Sequence, residues 1–356
     1  MPWHHLESNL TLGYLMLGNA KISLVSRYDW RSSVPVFRYV LGISFVLLVT
    51  SLMNYPVSYL TPVLALTFIA PGTKPIAPKQ GLSFIFILVI INFVTFIFSA
   101  FFKDYPLVFL PLLGVGILWI YYINISIIIK LFAVISILVI PLMSLELTFA
   151  SAFIAMSLVF NAFMAITLTQ LVFQVFPWSQ ADEAFVKTKQ VTNITEYERF
   201  KYARKIFFMF LPVLLLFFIF KLSGSLLILI FIGILSISPA LANAKIGKFL
   251  IVANILGGLC AILGYKLLVI APILPFMILM TLLVGFIFGN KLFSKAKIAP
   301  IFGTGFSTFL LILGTVTSSD NEAGSAVWSR LVQITAAVIY VVIAMGLLNY
   351  YQNKKS

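Results

Sequence analysis

The chain has 356 residues, 62% of them hydrophobic and only 10% charged, with a mean hydropathy of +1.10. A soluble globule carries nearer ~25% charged residues, so lipid is the solvent this composition fits; the apolar runs are continuous rather than alternating, which excludes a β-barrel. The formal net charge of +14 lies mostly in short loops between apolar runs, a pattern that topology explains without any nucleic-acid partner.

In chain order, residues 1–34 read as a cytoplasmic N-terminal segment. Their short apolar patch around Leu12 to Leu17 has no basic stretch ahead of it, so it is expected to be retained rather than cleaved as a signal peptide. Crossing the hydrocarbon core takes about 20 apolar residues. Six apolar segments follow in residues 35–176, at 35–53, 58–72, 81–101, 106–123, 125–145 and 148–176. Residues 177–205 are the one long polar interval and form a cytoplasmic linker. Six more segments fill residues 206–350, at 206–221, 225–242, 249–265, 268–289, 298–316 and 327–350, and 351–356 is a cytoplasmic tail. The segments 58–72 and 206–221 are short for a crossing, and the joins at 123–125 and 145–148 are tight, which leaves ten or eleven crossings open beside twelve.

Lysine and arginine stay on the cytoplasmic side of a membrane. With the N-terminus inside, only Lys103, Lys221, Lys266 and Arg330 of the 24 basic residues fall at or near the outer ends. The two halves also share punctuation. Phe37-Arg38-Tyr39 opens the first and Phe200-Lys201-Tyr202 the second. Pro71 closes the second span and Pro239 its counterpart, and Asn92 and Asn254 lie inside matching third spans. Pro106 and Pro111 interrupt the fourth span as Pro272 and Pro275 interrupt its partner. The expectation is an all-α polytopic membrane protein of about twelve transmembrane helices in two parallel six-helix repeats.

Six spans opened by a basic residue in an aromatic setting, a second span closing on Pro before a basic loop, and repetition of the whole resemble the fusaric acid resistance and aromatic acid exporter family of bacterial inner-membrane proteins. The layout is similar to a compact branch associated with periplasmic adaptors of the membrane-fusion type. The resemblance implies a multi-pass inner-membrane efflux component that exports small organic acids, aromatic ones in particular, with a periplasmic adaptor as partner; a homo-oligomer is a further expectation, and the sparse catalytic signals of the sequence argue against an enzyme. Typical members carry a sizeable soluble domain between the halves, for which residues 177–205 leave no room.

Charge inside lipid costs roughly 2.5–3.5 kcal/mol on insertion scales, so ionisable residues near the spans are the candidates for function. Glu146, between the fifth and sixth spans, is either a proton carrier held near neutrality by a half-apolar setting or an ordinary outer-surface acid. Asp320 and Glu322 are its counterparts in the second half. Arg330 opens the last span, where its planar fork suits a substrate carboxylate, or a snorkelling or internal-pair role. Asn92 and Asn254 are candidates for substrate contact or interhelical bonding. Pro71, Pro239, Pro111 and Pro275 are candidate helix breaks, which in transporters leave backbone free to line a binding site.

Enzyme signals are sparse. The only histidines, His4 and His5, lie at the N-terminus and the only cysteine, Cys260, is inside an apolar run, so no metal site or cofactor is expected. No phosphate-binding glycine loop is present, so the chain has no ATPase of its own. A channel or a membrane scaffold without transport of its own is the other class this composition allows.

Overall fold

The computed structural model describes residues 30–55, 57–145, 148–185, 195–220, 222, 225–237, 244–296, 298–317 and most of 332–350. They form helices joined by turns and short irregular segments, with no strand among them: α1 (Trp30–Met53), α2 (Leu60–Phe68), α3 (Pro78–Phe102), α4 (Pro106–Tyr122), α5 (Ile127–Ser144), α6 (Thr148–Val175), α7 (Gln180–Glu183), α8 (Glu196–Phe220), α9 (Leu226–Ser236), α10 (Ala244–Ile270), α11 (Leu274–Leu292) and α12 (Ala299–Thr317). A further apolar helix covers Thr335–Leu348.

Seven helices, α1, α3, α5, α6, α8, α10 and α11, contain stretches long and apolar enough to cross a membrane; α4, α12 and Thr335–Leu348 are apolar but shorter. The architecture is that of an all-helical chain compatible with a polytopic membrane protein. Helix is what such a sequence must form, because only a helix satisfies each backbone donor and acceptor within its own segment when no water is at hand. Large apolar side chains left outside the core, among them Leu82, Phe86, Val89 and Phe93 of α3 and Leu107 of α4, are what a lipid-facing surface requires.

Prolines place several helix starts. Pro78 opens α3, Pro106 opens α4 and Pro275 lies in the first turn of α11, where the missing N–H leaves no bond unmade. Pro106 and Pro275 therefore initiate helices rather than interrupt them. Pro111 is inside α4, with an exposed side chain.

The segment expected as a span at 58–72 is a nine-residue helix, α2, followed by non-helical backbone. At 1.5 Å per residue α2 covers about 14 Å, half the hydrocarbon thickness. It lies in the interior rather than against lipid: Thr61 to Leu66 and Phe68 are buried, and α2 packs on α1, α6 and α12. Beyond it the chain turns at Pro71 and Gly72, the latter at φ 74°, a left-handed conformation that glycine adopts without a Cβ clash. The Gln170 side-chain amide of α6 donates to the Ile76 carbonyl, so the irregular segment has a partner inside the protein. α9, eleven residues long, is a second short and deeply packed helix. Its Leu229, Phe231, Ile232 and Leu235 are buried, and it packs on α5.

Helix packing follows a paired pattern. α3 packs on α5 as α10 packs on α12; α1 packs on α11 as α8 packs on α4; α2 touches α12 as α9 touches α5. Ring contacts repeat the second correspondence. Phe37 of α1 meets Phe286 inside α11 and Tyr39 meets Phe293 just past its end, and Phe200 and Tyr202 of α8 meet Tyr122 and Tyr121 at the end of α4.

Candidate functional site

Three polar constellations stand out against the apolar body. The first is a buried ion pair. Arg38, one and a half turns inside the start of the apolar part of α1, is 1% exposed, and Asp182 in α7 of the linker is fully buried. Arg38 Nη1 donates to Asp182 Oδ2 at 3.1 Å and to the Pro177 carbonyl at 3.3 Å, while Nη2 donates to Oδ1. The guanidinium lies 4.7 Å from the Phe173 ring centroid and 5.9 Å from that of Trp178. Such a planar cation matches a carboxylate fork and an aromatic face at once.

Local sequence explains how the acid is presented. Ser179-Gln-Ala-Asp182 is a capping box: the Ser179 backbone N–H and hydroxyl donate to Asp182 Oδ2 at 2.9 and 3.0 Å. The carboxylate thereby has four donors aimed at it, which is the arrangement a buried charge needs. Phe185 then packs edge-on against Phe293, next to the end of α11. The start of the linker is thus folded onto the protein as a strap across α1, α6 and α11.

The second constellation is a matched pair of amide bridges. Asn92 of α3 accepts from the Ser136 hydroxyl of α5 and donates to the Ala155 carbonyl of α6 at 2.8 Å. Asn254 of α10 accepts from the Thr308 hydroxyl of α12. Both asparagines are 3% exposed. One ties α3 to α5 and the other ties α10 to α12.

The third is a cavity of about 430 Å³ where α1, the 54–59 loop, α10, α11 and α12 end together. Thr50, Ser51, Asn54, Ser58 and Thr317 supply polar wall, and Leu268, Val269, Ile273, Leu274, Met277 and Leu310 supply apolar wall. Thr50 lies twelve residues along α1 from Arg38, about 18 Å of helix, so the cavity and the ion pair occupy opposite ends of the bundle. Beside the cavity, Tyr55 and Thr61 share a hydrogen bond of 2.5 Å, and Thr61 donates to Asn161 Oδ1 of α6 at 2.7 Å. That chain fixes the start of α2.

A further polar knot closes the end of α9. The Tyr202 hydroxyl donates to the Ser236 carbonyl at 2.6 Å, and the Tyr121 and Ser236 hydroxyls are hydrogen-bonded to each other. Carbonyls freed at a helix terminus need such donors where no water reaches.

Among the residues singled out from sequence, Asn92 and Asn254 take equivalent bridging roles, Pro71 stands at the turn after α2, Pro111 is within α4 and Pro275 is in the first turn of α11. Glu146, Asp320, Glu322, Arg330 and Pro239 lie outside the described residues, as do His4 and His5. Among the described residues no group of His, Cys, Asp and Glu could hold a metal ion. Sequence reasoning missed Asp182. The signal was present in the Ser-x-x-Asp spacing at 179–182, but it lay in a polar interval that gave no hint of burial. Arg38 reads from sequence as the basic residue of the Phe37-Arg38-Tyr39 motif, with no local sign of burial. Its sequence counterpart Lys201 is exposed, so the shared aromatic-basic-aromatic motif hides two different environments.

Compared with known proteins, the chain matches no family model, no curated sequence and no solved structure.

Proposed function

We propose that the chain is a membrane transporter of twelve crossings in two parallel six-helix repeats, residues 35–176 and 206–350, working as the inner-membrane component of an exporter of small organic acids. The observation that carries the transport reading is α2: a half-length helix buried inside the bundle, continued by non-helical backbone, with a cavity at the loop that leads into it. Irregular backbone at membrane depth is tolerated only inside protein or along a water-filled path, and broken helices flank substrate sites in transporters.

The repeat is supported by the paired packing of α3 on α5 and α10 on α12, by the reciprocal contacts of α1 with α11 and α8 with α4, and by the two asparagine bridges. In this reading α2 and α9 are the second spans of their halves, and the cavity lies between the end of α1 with the 54–59 loop in the first repeat and α10 to α12 of the second. The basic loops, with both termini cytoplasmic, put the Arg38–Asp182 end inside and the cavity end outside. The organic-acid substrate and the periplasmic adaptor come from the resemblance noted in the sequence. Proton coupling would fall to Glu146, Asp320 or Glu322, and Arg330 would meet the substrate carboxylate.

Uptake of labelled hydroxybenzoate and fusaric acid into inside-out vesicles, with and without an imposed proton gradient, tests the reading. Gradient-dependent uptake lost in Glu146→Gln is the expected result. Conductance that needs no gradient would favour a channel, and full uptake by Glu146→Gln would remove that carboxylate from the mechanism.

A further inference from the structure

α8 changes character along its length. Up to Lys205 it is polar, and from Ile206 to Phe220 it carries no charge. Ala203, Ile206, Phe210 and Phe217 are buried and mark the face turned to the protein. At about 100° per residue, Lys201, Arg204, Lys205, Phe208, Leu216 and Ile219 fall within an arc of about 120° on the other side. Phe208, Leu216 and Ile219 are exposed, as are Lys201 and Arg204, and Lys205 is half-buried. This face therefore has a cationic head and an apolar stripe beneath it. Lys205 and Ile219 stand about 21 Å apart along the axis, enough to run the roughly 15 Å of hydrocarbon in one leaflet.

Arg204 and Lys205 follow Lys201 at the three- and four-residue spacings where like charges repel across a helix, and Lys201 is the charge that Lys205 feels. The acids of the same segment are engaged elsewhere. Glu198 closes a capping box, accepting from the Thr195 N–H at 3.2 Å while its own N–H donates to the Thr195 hydroxyl at 3.3 Å. Glu196 faces Arg199 at 3.7 Å. An anion seated over Lys201, Arg204 and Lys205 relieves their repulsion, and a phosphate suits the arginine fork and the two ammonium point charges. A free phosphate would use only the head of this face, whereas an anionic amphiphile uses the head and the stripe together. The basic-loop topology puts this end of α8 at the cytoplasmic surface, where anionic headgroups attract basic segments.

We propose that the start of α8 is a binding site for an anionic phospholipid of the cytoplasmic leaflet, its phosphate held by Lys201, Arg204 and Lys205 and an acyl chain laid along Phe208, Leu216 and Ile219. The proposal rests on the membrane topology given above and not on the substrate or the coupling of the exporter.

The test is native mass spectrometry of the delipidated full-length chain in detergent, titrated with phosphatidylglycerol and with phosphatidylcholine of the same acyl chains. Phosphatidylglycerol should be retained with at least about tenfold higher affinity than phosphatidylcholine. Lys201→Gln with Arg204→Gln and Lys205→Gln should remove that preference at an unchanged unfolding midpoint. Lys74→Gln with Lys79→Gln and Lys295→Gln, which removes as many exposed basic charges elsewhere on the same side, should keep it, and so should Lys201→Arg with Lys205→Arg. Glycerol 3-phosphate in large excess, which has the headgroup phosphate and no chains, should not displace the lipid. Equal retention of the two lipids, a preference untouched by the first triple variant, or one lost equally in the second would each overturn the proposal. Displacement by glycerol 3-phosphate would make a soluble anion the ligand, and a lipid-independent dimer broken by the first triple variant would make this face an interface between copies; either sinks the lipid site. None of these outcomes depends on hydroxybenzoate uptake, so failure of the exporter reading leaves the proposal standing.

Discussion

Arg38 and Asp182, 144 residues apart in the chain, form a two-bonded ion pair with both side chains out of solvent. The pair joins α1 to the strap that leads out of α6. Removing one partner of such a pair leaves an uncompensated buried charge, whereas replacing both by apolar groups of similar volume is often neutral. Asp182→Ala should therefore lower stability by about 3–5 kcal/mol, and Arg38→Met with Asp182→Leu should recover most of the loss. Thermal unfolding in detergent reads both. Equal destabilisation by the single and double variants would show that strap packing, not the charge pair, holds the segment.

The asparagine bridges separate scaffold from pathway. Interhelical polar bonds in membranes average about 0.6 kcal/mol and reach about 1.7. Asn92→Leu and Asn254→Leu should each cost about that much in stability. Substrate uptake per folded molecule should persist. Uptake lost at unchanged stability would instead place the amides on the substrate path.

The α10–α12 contact runs through backbone. A Cβ on Gly257 would overlap the Gly305 carbonyl oxygen, and one on Gly305 would come within 2.7 Å of the Ala253 carbonyl oxygen. Main chain cannot yield as a flexible side chain can, so Gly257→Ala should separate the helices and cost on the order of 1–3 kcal/mol. Gly346 has nothing within 4 Å of such a Cβ, and Gly346→Ala should be neutral or stabilising by up to about 1 kcal/mol. Yield of monodisperse protein and unfolding midpoint distinguish the two.

What was legible in the sequence followed from lipid as solvent. Continuous apolar runs must be helices, and α3, α6 and α10 overlap the runs from which they were expected. The depths of Asn92 and Asn254 were legible for the same reason, since a polar residue in an apolar run stands out. Proline was harder to read. The residue that breaks a helix interior also starts one, and Pro106 and Pro275 do the latter because the preceding residue, not the proline, ends the loop. Asp182 was invisible because burial of a charge depends on a partner far along the chain, which no local pattern carries. The nine-residue length of α2 was only partly legible: Pro71 marks a stop, but the largely apolar run continues past Phe68, and the buried packing against α1, α6 and α12 ends the helix before the proline.

Whether α2 and the backbone after it complete a crossing decides between twelve spans and fewer, and the chain offers a clean way to ask. Cys260 is its only cysteine, so Cys260→Ser gives a background without thiols. Single cysteines at Ser58 and Thr73 then bracket α2 and the turn at Gly72, while one at Asp104 marks the junction of α3 and α4. At 1.5 Å per residue the 25 residues of α3 extend about 37 Å, more than the roughly 30 Å core, so Thr73 and Asp104 must lie on opposite sides. If the half-helix and its irregular continuation cross together, Ser58→Cys and Asp104→Cys react with an impermeant maleimide from the outside and Thr73→Cys only after permeabilisation. Labelling of Ser58→Cys and Thr73→Cys from the same side would make α2 a re-entrant hairpin. The span count of the first half would then be odd, and the repeats would be inverted rather than parallel.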